Sequence, residues 1–116
     1  MSKANDLTKS IVTFLNLSGW KVWRQNNVGI FDTKKKVFRS GNNLKGVSDI
    51  IGFNKKTAQF IAVEVKIGKD KLSEYQTDFL ASVISSGGVA IVAKSFDGFM
   101  EAYKEQIKEV LKYPFC

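Results

Sequence analysis

The chain has 116 residues, 44% of them hydrophobic, and a net charge of +7. That length suits one domain, residues 1 to 116, with a real core, and no apolar run approaches the roughly 20 residues that span a bilayer. There is no histidine, and the only cysteine is the last residue, Cys116. Ser-His and Cys-His catalysis, His- or thiolate-ligated zinc and internal disulfides are therefore excluded, and any chemistry must run on carboxylates, lysine, hydroxyls or a hard metal ion.

Residues 6 to 18 read as a helix: Leu7, Ile11, Phe14 and Leu15 recur at three- and four-residue spacing, with Val12 beside them, and Gly19 is a stop. "WKVWRQ" (20 to 25) is a strand. "VGIFDTKKKVFRSG" (28 to 41) reads as a lysine-tipped hairpin or a loop. "GVSDIIGF" (46 to 53) is a strand entered through a glycine, and "NKKTA" (54 to 58) is a polar turn feeding "QFIAVEVKIG" (59 to 68) as an antiparallel partner. A helix follows over 73 to 86, with Tyr75, Phe79, Leu80, Val83 and Ile84 as its apolar stripe. "VAIVAK" (89 to 94) is a buried strand. A last helix starts at Ser95 or Asp97 and turns Phe99, Met100, Tyr103, Ile107, Val110 and Leu111 inward. The order α-β-(β-β)-β-β-α-β-α predicts an α/β fold, a mixed sheet with helices on both faces.

Charge is unevenly placed. Residues 21 to 56 carry nine cations against Asp32 and Asp49, whereas Glu101, Glu105 and Glu109 balance Lys104, Lys108 and Lys112 in the last helix. A basic block beside a neutral remainder suits a polyanion such as nucleic acid, or a solvated lysine face.

One strand poses a chemical problem. Strand side chains alternate, so in residues 60 to 67 Ile61, Val63, Val65 and Ile67 share one face, and Phe60, Ala62, Glu64 and Lys66 the other. Glu64 and Lys66 sit about 7 Å apart along the strand. If the strand before it pairs through the 54 to 58 turn, Asp49 faces Glu64. Buried charges are costly unless something completes them. Two carboxylates and a backbone carbonyl suit Mg²⁺ or Mn²⁺, and Lys66 beside them suits a phosphoryl group. The plain alternative is an ordinary Glu64–Lys66 pair on a solvated edge, with Asp49 as a turn residue.

The ordered set "VWRQNN" (22 to 27), "GVSDIIGF", "FIAVEVKIGKDKLSEYQTDFL" (60 to 80) and "SSGGVAIVAKS" (85 to 95) resembles the VRR-NUC family of the PD-(D/E)XK nuclease superfamily, over about residues 6 to 98. The resemblance implies a restriction-endonuclease-like α-β-β-β-α-β core, here with an extra C-terminal helix. It implies a divalent-metal-dependent DNA endonuclease. Asp49, Glu64 and the Val65 carbonyl would hold Mg²⁺ or Mn²⁺, Lys66 would be the catalytic lysine, and Gln76 would reach the site from its helix. Ser73-x-x-Gln76 is also a capping box, which gives Gln76 a purely structural reading. Ser48 stands where many relatives have proline. The family's first-helix glutamate has Asp6, one methylene shorter, as its nearest counterpart.

Arg24 shares a strand face with Trp20 and Val22, as a phosphate contact or an edge charge. Asn26, Asn27, Lys34, Lys35, Lys36, Arg39 and Lys45 complete the candidate nucleic-acid contacts. Trp20 and Trp23 either stack on bases or belong to the core. Relatives of this size resemble phage or bacterial junction resolvases. By analogy the expectation is a cytosolic homodimer acting on branched DNA, with a helicase or replication partner as a further option. The N-terminus lacks the apolar stretch of a signal peptide. The rival readings are a catalytically silent nucleic-acid-binding module and a nuclease subunit of a helicase or repair complex.

Overall fold

The computed structural model describes residues 3–25, 30–32, 37–39 and 44–112, except the side chains of 30–32, 37–39 and 108–112. Among the described residues, three helices and six strands follow in the order α1 (Lys3–Leu17), β1 (Trp20–Arg24), β2 (Ile30–Asp32), β3 (Val37–Arg39), β4 (Ile50–Asn54), β5 (Phe60–Val65), α2 (Glu74–Ser85), β6 (Val89–Ala93) and α3 (Phe96–Lys112). The expected α/β order holds. β2 and β3 pair as the expected hairpin; its lysine tip, Lys34 to Lys36, lies outside the described residues, as do Asn26 and Asn27.

The main sheet runs β1-β4-β5-β6. β4 pairs antiparallel with both β1 and β5, and β5 pairs parallel with β6 across the α2 crossover. Alternation along β5 sorts the core into two layers. Ile61, Val63 and Val65 pack with Leu7, Ile11 and Leu15 of α1 and Phe99 of α3. Ala62 packs with Leu80 and Val83 of α2 and Ala90 of β6. Helices thus cover both faces, with α1 and α3 on one side and α2 on the other. Apolar burial of this kind is the main driving force for the fold.

Local chemistry sets the element ends. Gly19, at φ +97°, turns the chain out of α1 in the left-handed conformation that glycine adopts without strain. Ser95 starts α3: its hydroxyl accepts from the Gly98 N–H at 3.0 Å. Trp20 is buried among the α1 and α3 side chains, and its indole N–H donates to the Tyr103 hydroxyl at 2.9 Å. Of the two tryptophans it is the core residue.

Both outer strands carry an amide side chain on their free side. Asn16 of α1 donates to the Val22 carbonyl at 3.2 Å and accepts from the Val22 N–H at 3.1 Å. Gln106 of α3 does the same to Ala90, at 2.8 and 3.1 Å.

The strand expected over 46 to 53 begins only at Ile50. Gly46 sits at φ +84° and packs so tightly on Tyr75 that an added Cβ would lie 2.3 Å from the Tyr75 carbonyl oxygen. Close packing on the start of α2 therefore replaces strand pairing in 46 to 48. No described helix is long and apolar enough to cross a membrane.

Candidate active site

The β4–β5 register decides where the carboxylates meet. Ile50 is opposite Val63 and Ile51 opposite Ala62. Extending it by one pair sets Asp49 across from Glu64 on the α2 face. The bond from Asn54 N to Gln59 O marks 54 and 59 as a hydrogen-bonded pair, so position 49/64 is a non-hydrogen-bonded pair, where facing side chains come nearest. On the other side Asp49 still belongs to the ladder, since its carbonyl accepts from Gln25 N at 2.7 Å.

The Asp49 side chain does the work of a missing ladder bond. Its Oδ2 accepts from the Val65 N–H at 2.9 Å, where a continued ladder would have placed the Ser48 carbonyl. Asp49 is thus held in position by the backbone of the strand that carries Glu64. Strand geometry turns the Val65 carbonyl to the same edge as its N–H, towards Asp49.

Glu64 is only 2% exposed. Its Oε1 accepts from the Gln76 side-chain amide at 3.2 Å. Its Oε2 is buried without a hydrogen-bond partner, as is the hydroxyl of the neighbouring Ser48. An ionised carboxylate oxygen left this way is costly. Burial, then the Asp49 carboxyl as a proton-sharing neighbour and a like charge, push the Glu64 pKa from 4.5 up to about 8; Lys66 and Ser48 act in the opposite direction.

Lys66 follows the strand directly. Its N–H donates to the Ala93 carbonyl at 2.9 Å, which prolongs the β5–β6 ladder and keeps its side chain on the Glu64 face, half-buried. Gln76 caps α2 and also contacts Glu64. Its Oε1 accepts from Ser73 N at 2.8 Å and its own N–H donates to the Ser73 hydroxyl at 3.1 Å, completing the capping box, while its amide nitrogen holds Glu64.

Asp49, Glu64, Lys66 and Gln76 are therefore brought together. Asp6 is exposed in the first turn of α1. Among the described residues no group of three or more Asp, Glu, His or Cys forms. Arg24 lies on the α1 face of β1, with Trp20 and Val22 as expected, and donates to the Asn5 side chain at 3.0 Å. Lys45 is exposed, its ammonium 5.1 Å from the centre of the Tyr75 ring. For Arg39 only the backbone is described. Two residues were given no site role in the sequence: Ser48, whose hydroxyl is buried beside Glu64, and Gly46, whose closeness to Tyr75 ties the Asp49 segment to the helix bearing Gln76. The Gly-x-Ser-Asp spacing was the available signal for both.

The donor set fits a hard divalent cation. Carboxylate oxygens and a backbone carbonyl are the ligands such ions take, and Glu64 Oε2 is a buried oxygen that has no donor of its own.

Among curated proteins none matches the chain. A family model for the VRR-NUC domain matches residues 15–97, from the end of α1 to the start of α3, and spans β4, β5 and α2 with every residue of the cluster. The chain belongs to the VRR-NUC domain family, a nuclease family of the PD-(D/E)XK superfamily.

Proposed function

We propose that the protein is a Mg²⁺- or Mn²⁺-dependent endonuclease that hydrolyses phosphodiester bonds in DNA, with branched DNA as the preferred substrate. The observation that supports this most is the placing of half-buried Asp49 across from buried Glu64, one Glu64 oxygen lacking any donor. Asp49, Glu64 and the Val65 carbonyl would hold the cation, which supplies Lewis-acid stabilisation of charge on the phosphoryl oxygens. Gln76 fixes Glu64 through Oε1 and leaves Oε2 for the cation. The Val65 N–H holds Asp49 through Oδ2. Lys66 lies near Glu64 on the same strand face; its ammonium aligns the attacking water and offsets the negative charge that builds up as the P–O bond breaks. The basic segment 21 to 56 supplies affinity for the phosphate backbone.

The test is cleavage of labelled four-way junction, flap and linear duplex DNA, with Mg²⁺, Mn²⁺ or chelator. Cutting of the branched substrates that disappears with chelator is the expected result. Tight binding without cutting under either metal would instead identify a silent nucleic-acid-binding module. The oligomer follows from the same logic: two symmetry-related cuts in a junction call for a homodimer, and a protein that sediments as a monomer, free and with junction DNA, would count against that part.

A further inference from the structure

The sheet face that carries Asp49 and Glu64 continues into a row of aromatic rings. Trp23 is opposite Ile51, and Phe53 is opposite Phe60, so all four share the α2 face of β1, β4 and β5. α2 packs across β5 and β6. Trp23, Phe53 and Phe60 remain 41%, 41% and 38% exposed. The Trp23 and Phe53 rings lie 6.5 Å apart at 71°, and Phe60 meets Phe79 of α2 at 6.4 Å and 71°. Both contacts are edge to face, a favourable pairing of rings; it is the exposure of Trp23, Phe53 and Phe60 that leaves them open to a further partner. Phe60 and Phe79 then form one wall of an open groove of about 460 Å³ that also carries the Ser82 and Gln59 side chains.

We infer that this row is a stacking platform for unpaired nucleobases, and that the substrate presents a single-stranded segment beside the bond to be cut. Charge points to this occupant. Lys21, Lys55 and Lys56 are exposed around the row, and the strands and turn that carry it, residues 20–25 and 49–65, contain only two carboxylates, Asp49 and Glu64, both belonging to the candidate site; Asp78 of α2 adjoins Phe79 in sequence. A protein-docking patch has no need of that bias; a polyanion with flat apolar bases does. Spacing agrees. Trp23 lies about two residues along the strands from Asp49 and Phe53 four, so about 7 to 13 Å at strand rise. At about 3.4 Å per stacked base this covers roughly two to four nucleotides. The platform thus favours flaps, forks and gapped junctions over a fully paired four-way junction. This inference rests on the reading of the chain as a nucleic-acid enzyme.

The experiment measures binding with chelator present, so that cutting plays no part. Short oligo(dT) and a duplex of equal length are titrated against wild type, Trp23→Ala and Trp23→Phe, each first checked for an unchanged melting transition. Trp23→Ala should weaken oligo(dT) binding about 5- to 150-fold, and duplex binding less than about twofold. Trp23→Phe should recover most of the loss, because a ring is restored. The salt dependence should keep its slope in both, since no charge is removed, and should flatten in Lys55→Gln/Lys56→Gln. Oligo(dT) affinity unchanged in Trp23→Ala, or equal losses on both DNAs, overturns the platform. Failure to cut any DNA in metal would overturn the endonuclease reading and leave this result untouched.

Discussion

Glu64 makes the free protein sensitive to pH in a direction opposite to ordinary acid denaturation. In the folded chain it keeps its proton up to about pH 8, in the unfolded chain only to about 4.5. Between these values the folded state binds more protons, so raising the pH removes stability. The whole interval corresponds to at most about 5 kcal/mol, and water reaching the strand ends should reduce this to about 2–3 kcal/mol. Glu64→Gln tests it, because the amide keeps the shape and the acceptor for Gln76 while losing the charge. Urea unfolding of both proteins in chelator, from pH 5 to 9, isolates Glu64 together with its coupling to Asp49, since titrations elsewhere in the chain cancel in the difference. The two should be about equally stable at pH 5, and the variant more stable by about 2–3 kcal/mol at pH 9. Parallel pH curves would refute the view that Glu64 is strained when ionised. Mn²⁺ should restore wild-type stability at high pH and leave the variant almost unchanged.

Lys66→Ala should abolish cleavage while DNA affinity stays within a few-fold, measured by single-turnover cutting and anisotropy. Asp49→Asn should weaken Mn²⁺ binding in calorimetric titration, and an unchanged isotherm would remove Asp49 from the ligand set. Gly46→Ala places a methyl against the Tyr75 backbone at a positive φ; a loss of about 2 kcal/mol or more is expected in denaturant melts. Ala58 is the one described non-glycine residue at positive φ, 64°, so Ala58→Gly should be neutral or stabilise by about 0.5 kcal/mol in the same assay.

The sheet and its helices were legible because their signals are periodic. Alternation in residues 60 to 67 put Glu64 and Lys66 on one face, and the short turn at 54 to 58 fixed the antiparallel register that brings Asp49 to Glu64. What depended on tertiary contact was not legible. β4 starts at Ile50 rather than Gly46 because Gly46 is pressed onto Tyr75, far away in sequence. Trp20 and Trp23 are three residues apart in the same strand, and only the positions of α1 and α3 decide that one is core and the other exposed. Gln76 admitted a capping or a site reading; its amide has two ends, and the structure uses both. Arg24 shares the face foreseen for it, yet that face belongs to α1, where Asn5 takes its guanidinium.

The paired amides of Asn16 and Gln106 restrict how two copies could associate. Each occupies the backbone groups of the middle of an outer strand, Val22 on one flank and Ala90 on the other. A second chain that tried to extend the sheet would have to evict an amide already making two bonds. Extension of the main sheet by a second copy is therefore disfavoured at both flanks, and a twofold partner would have to use some surface other than these two strand edges.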